Sequence, residues 1–227
     1  MIELKIKNDE LEKVEPRTLC EEAWQEIASH FPDFKVLSKG KKLKRVAKDK
    51  DIFFEIYFQA NRYNNKDSVE FIPHIGIYSK SIKRAGINNG FIHGGDLGSL
   101  SSRKPHAWWQ LAGASYKYTV EEVSNLIKIH IIPIFNYFED TQANIDRILE
   151  GNCTSESLLY YIYYFGGKNK AQQYFNRILK VNKFKNKYIS FYESLKSMPE
   201  ENIDLNYSEF SGAIMIKFAY LNGIEIE

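Results

Sequence analysis

The chain is poor in cysteine. Only Cys20 and Cys153 occur among its 227 residues, and neither has a partner at a metal-binding or redox spacing. A disulfide framework and a cysteine zinc site are thereby excluded. It also lacks a long apolar run. The nearest approach, Ile127 to Phe138, is broken by Lys128, His130, Pro133 and Asn136, so no membrane span and no membrane partner is expected. The first residues, Met1 to Lys5, alternate charge with apolar side chains and lack the continuous apolar stretch of a signal peptide. The expected location is therefore the cytoplasm, and the Asn152-Cys153-Thr154 and Asn206-Tyr207-Ser208 matches to the glycosylation pattern are expected to be chance. Charge of one sign is lacking too. The formal net charge is +2, which argues against whole-protein attraction to polyanions.

Aromatic residues are what the chain has in quantity: 15 Tyr and 15 Phe, in a chain that is 44% hydrophobic. That is ample for a core without disulfides or metals. Tyrosine at this density builds a core with polar tips at its edges, or a recognition face.

Glu15-Pro16 opens a helix, with proline where its missing N–H costs nothing. Leu19, Cys20, Ala23, Trp24, Ile27, Ala28 and Phe31 share one face of it. Strand signals follow. Phe34 to Leu37 and Leu43 to Val46 flank the turn Ser38-Lys39-Gly40-Lys41. Ile52, Phe54, Ile56 and Phe58 alternate with Phe53, Glu55, Tyr57 and Gln59. Val69, Phe71, Ile75 and Ile77 alternate with Glu70, His74 and Tyr78, and Pro73 predicts an edge or a bulge there. Residues 81–102, rich in Gly, Asn and Ser, predict an irregular loop. Ala107 to Leu111 predicts a short strand, and neighbouring Trp108 and Trp109 must then face opposite sides.

Thr119 and Glu122 have the spacing of a capping box for a helix that Pro133 should kink or restart. Helices are predicted beyond it over 141–150, 155–165, 169–181, 185–197 and 207–221, with Thr154 and Asn206 as caps. The expected fold class is α+β: an N-terminal helix and an antiparallel sheet of four or five strands, followed by a helical C-terminal half. The expected division is 1–118 for helix and sheet and 119–227 for the helical region, packed as one unit with the sheet.

Three groups of residues carry chemistry. Tyr160, Tyr161, Tyr163 and Tyr164, in a helix apolar on all sides, and Trp108 and Trp109 are candidates for contact with another protein. The alternative reading of each is core packing. The second group is basic. Lys35, Lys39, Lys41, Lys42, Lys44, Arg45, Lys48 and Lys50 face a single acid, Asp49, and residues 168–187 hold no acid. Lys41, Lys42, Lys44, Arg45, Arg177 and Lys180 are the nucleic-acid candidates, with aromatic rings interleaved for bases; a solvated charged surface is the alternative. The third group is His93 and Asp96 in the Gly-rich stretch, with His74 and His106. A His near an Asp serves acid–base chemistry, but no metal or phosphate motif surrounds them. Cys20 reads as a small core residue, Cys153 as structural.

A resemblance rests on the order of these features. The leading helix, Phe31 with the basic hairpin through Lys42 to Val46, Gln59-Ala60-Asn61-Arg62-Tyr63, Ile75-Gly76-Ile77-Tyr78, Trp108-Trp109 and the helix ending near Ile132-Pro133 follow one another as in an uncharacterised bacterial family. This family is the domain of unknown function numbered forty-three-oh-four, and the resemblance covers roughly residues 15 to 140. It implies an α+β fold and assigns no activity, cofactor or site residue. The expected function is therefore a non-enzymatic protein-binding module needing no cofactor, by analogy an immunity or accessory protein of a bacterial toxin or defence system. The alternatives are nucleic-acid binding through the basic hairpin and helices, and a hydrolase-like enzyme centred on His93 and Asp96.

Overall fold

The computed structural model describes residues 14–101 and 103–226. The segment Met1 to Lys5 and Ser102, the last residue of the expected loop, lie outside the described residues. Helix α1 (Pro16–Ser29) buries Leu19, Cys20, Ala23, Trp24, Ile27 and Ala28, the stripe its 3.6-residue period sets. Six strands follow: β1 (Lys35–Leu37), β2 (Lys42–Val46), β3 (Ile52–Ala60), β4 (Glu70–Ser79), β5 (Phe91–Asp96) and β6 (Trp109–Gln110). They form one antiparallel sheet in the order β1-β2-β3-β4-β5, with β6 also paired to β4.

The described residues fall into two compact units. One takes in residues up to Ile77 together with Gly94–Asn136. The other takes in Tyr78–His93 and the residues from Tyr137 onward. In the first unit, Leu43, Ile52, Phe54, Ile56 and Phe58 point to one face of the sheet and are fully buried. Trp24 of α1 stacks on Phe58 at 6.2 Å, and Phe135 lies 4.8 Å from Phe54. Helix α4 (Ser115–Leu126) packs on α1. It runs into a π-helical turn, Ile127–Ile131, and then α5 (Ile132–Tyr137). The amide of Ile132 reaches back five residues to the carbonyl of Ile127. Pro133 cannot supply the next α-helical bond, and the widened turn is how the helix accommodates it.

The second unit is helical: α6 (Thr141–Glu150), α7 (Glu156–Gly166), α8 (Lys168–Val181), α9 (Lys185–Leu195) and α10 (Ala213–Leu221), with the short α2 (Lys80–Arg84). Helix α7 is its centre and buries Leu158 through Ile162 without a break. It packs against α6, α8, α10 and α2.

Several local expectations are corrected. The Gly-rich stretch is not an irregular loop; it holds α2, β5 and a four-residue helix, α3 (Leu97–Leu100). Its glycines serve close backbone approach. A Cβ on Gly94 would overlap the carbonyl oxygen of Ile75 on β4. Pro73 lies at neither edge of the sheet. It is buried in a strand with neighbours on both sides, between Phe71, which pairs with Trp109, and Ile75 beside Gly94. Thr119 is not a cap: α4 starts at Ser115, and the Thr119 hydroxyl donates to the Gln110 carbonyl at 2.5 Å. Ser155 and Gly212 occupy the cap positions expected for Thr154 and Asn206, and the last helix starts at Ala213 rather than near Tyr207.

Candidate binding face

The register of β2 and β3 sets one row of side chains opposite the core. Lys42 pairs with Tyr57 and Lys44 with Glu55. Strand alternation adds Phe53 and Gln59 to this row and His74 from β4. The row is half-buried, with Lys42 and Lys44 side chains 36% and 33% exposed. One carboxylate organises both lysines: Glu55 accepts from Lys42 at 3.0 Å and lies 3.5 Å from Lys44. The Lys44 ammonium also sits 3.8 Å from the centre of the Phe53 ring. Tyr57 lies 6.2 Å from the His74 ring, whose Nε2 is 2.9 Å from Gln59 Oε1. Burial lowers the pKa of His74; Asp96 partly opposes this and His106 adds to it.

Asp96 is buried, and its carboxylate accepts from the Ser99 amide at 2.9 Å, the Ser99 hydroxyl at 2.6 Å and the His106 amide at 3.0 Å. The His106 Nδ1 lies 3.2 Å from the other oxygen. Burial opposes the charge of Asp96, yet the hydrogen bonds from Ser99 and His106 prevail and hold its carboxyl below its ordinary range. His106 itself is 81% exposed and adopts a left-handed φ of 58°. An aspartate that holds one imidazole nitrogen fixes the orientation of the ring. Here the same aspartate caps α3, so its first role is to tie the loop before β6 to the end of β5.

Residues 33–137 match the family model of DUF4304, a domain of unknown function. The DUF4304 segment contains all six strands and every residue of the face just described, and it leaves out α1 and the helices from α6 onward. The resemblance drawn from sequence thus holds for its central part. No curated protein and no solved structure matches the chain.

The sequence candidates divide. Within the DUF4304 segment, His74, Asp96 and His106 share one neighbourhood. His93 does not join them. Its ring stacks on Phe138 at 6.2 Å in the second unit, and burial lowers its pKa. Lys42 and Lys44 lie on the binding face, and the Lys41 ammonium, just before β2, lies 5.2 Å from the centre of the Tyr57 ring; Arg45 alternates to the other side. The Arg45 guanidinium lies over Phe34 and Phe54 at 5.2 and 4.9 Å. Trp109 is buried and donates to Glu122 at 3.1 Å, whereas Trp108 is 39% exposed. Among the tyrosines of α7, Tyr160 and Tyr161 are buried, Tyr163 packs on Phe218, and Tyr164 is 38% exposed. Arg177 is committed internally. Its guanidinium donates to the carbonyls of Ile148 at 2.7 Å, Leu149 at 2.8 Å, Cys153 at 3.0 Å and also Gly151. Lys180 is near the C-terminal end of α8. Cys20 is buried, and burial, then Glu21, push its thiol up to about 11, far from a nucleophile. No group of three His, Cys, Asp or Glu side chains with metal-holding geometry occurs among the described residues. No described helix is long and apolar enough to cross a membrane.

Lys42 and Lys44 are among the basic candidates of the sequence, whereas their partners Phe53, Glu55, Tyr57 and Gln59 are not among its candidates. The signal is present in the period-2 pattern of β3, whose second row, Phe53, Glu55, Tyr57 and Gln59, faces away from the core.

Proposed function

We propose that the chain is a non-enzymatic binding module that docks an acidic segment of another protein on the Lys42–Lys44–Tyr57–His74 face. By the same reading it works in the bacterial cytoplasm as an immunity or accessory protein. The observation that carries this is the shared Glu55 carboxylate, which holds two lysines side by side between the rings of Phe53 and Tyr57. Paired lysines beside aromatic rings match the composition of recognition surfaces, with rings supplying area and cations supplying selectivity for acidic partners.

Single-stranded nucleic acid is the second reading, favoured by the alternation of lysine with Phe53 and Tyr57. The near-balanced charge of the whole chain, +2, counts against it, because a polyanion gains little long-range attraction from such a surface. Affinity capture from the native host, with and without nuclease, tests both. The expected result is a protein partner that survives nuclease and is lost from the Lys44→Glu and Tyr57→Ala variants. Capture that disappears with nuclease selects nucleic acid. A protein partner retained by both variants moves the interface elsewhere.

A further inference from the structure

A cleft of about 720 Å³ lies in the first unit between α1 and the turn joining β1 to β2. Its size falls in the range of small-molecule sites, roughly 300–1,000 Å³. The turn is built to stay where it is. Ser38, Lys39 and Gly40 all have left-handed φ, at 51°, 55° and 86°. A Cβ on Gly40 would lie 2.8 Å from the amide nitrogen of Gln25, so only glycine lets this turn press on the helix. One wall of the cleft is formed by Cys20 and Trp24, both buried. The thiol of Cys20 stays protonated at neutral pH and acts as an apolar surface.

The rim is cationic. Arg17, Lys39 and Lys41 line the cleft against one lining carboxylate, Glu21, which leaves an excess of two positive charges among these four residues. Glu21 accepts from Arg17 and from Lys39, each at 3.0 Å, and so holds these two cations beside one another. Those hydrogen bonds lower its own pKa. Trp24 is 4% exposed and its indole N–H is closed to solvent, so the residue meets the cleft with its ring, an apolar surface beside Cys20.

We infer that this cleft binds a small organic phosphate monoester, its phosphate among Arg17, Lys39 and Lys41 and its organic body against Cys20 and Trp24. A phosphate monoester carries about −1.5 to −2 at neutral pH, which matches the cationic excess. Arginine and lysine supply the charge-assisted donors it needs.

Calorimetric titration of the full chain with adenosine 5′-monophosphate, phenyl phosphate and inorganic phosphate tests the inference. Saturable binding of at least one ester, tighter than that of inorganic phosphate, is expected. The preferred ester tells a nucleotide from another aromatic phosphate. Replacing both Arg17 and Lys39 by Ala, at side chains 86% and 70% exposed, should weaken binding by about tenfold or more without unfolding the protein. Glu21→Gln should instead tighten it, an effect that damage to the fold does not produce. Absence of saturable ester binding, inorganic phosphate binding as tightly as the esters, or weaker binding by Glu21→Gln overturns the inference.

Discussion

Lys217 on α10 is 3% exposed, and its ammonium is held from three sides. It donates to the carbonyls of Asp204 and Tyr207, each at 2.9 Å, and meets the Glu209 carboxylate at 2.7 Å. One side chain thus anchors the irregular stretch before α10. Lys217→Met keeps the length of the stem but leaves those acceptors without their donor. The expected loss is about 2 kcal/mol, measured by urea denaturation. The sequence marks this lysine only as the single charge in the apolar run Ala213 to Leu221; the partners that hold it come from outside the helix. Arg177 teaches the same point. As a sequence it is one of several cations on a basic stretch; in the fold its fork closes on four carbonyls around the end of α6. Residue type states which bonds are available, and the neighbours decide which are made.

At the scale of elements, strands whose side chains alternate were readable directly. The period of β3, buried at Ile52, Phe54, Ile56 and Phe58, is visible without coordinates. Strand β5 was not readable, because Phe91-Ile92-His93-Gly94-Gly95-Asp96 offers two glycines where alternation should show. The backbone of β4 occupies the space a side chain at Gly94 would take. Gly94→Ala should therefore cost about 1–3 kcal/mol and lower the thermal midpoint, as followed by circular dichroism. An unchanged midpoint would show that the two strands are free to separate there. The helices after Asp140 were legible as elements because their punctuation is local: Gly151, Gly166 and Gly167 fall at or just past helix ends.

Across the whole molecule, three groups link folding to pH. His74 and His93 have pKa values below their ordinary 6.5, with burial as the leading cause. The unfolded chain binds protons more readily at both, so their contribution is fully present above pH 6.5 and is lost progressively as pH falls below it. Asp96 is depressed below its ordinary 3.8, so its contribution is present above that value and is lost as pH falls through its lower folded value. Urea denaturation at about pH 7.5 and pH 5.5 should show lower stability in acid. His93→Phe should remove part of that difference while keeping a ring against Phe138.

The α+β class, the order of leading helix, hairpin and strands, and most of the helices beyond Asp140 are legible in the amino-acid sequence. These follow from periodicity, glycine and proline, which act over a few residues. Which polar groups meet is set by the tertiary fold. It gathered His74, Asp96 and His106 and set His93 against Phe138. It placed Lys42 and Lys44 around Glu55, turned Arg45 to the other side of the strand, and lined a cleft with Arg17, Lys39 and Trp24. Such meetings join residues from different elements, and their spacing is set by strand register and helix packing rather than by distance along the chain.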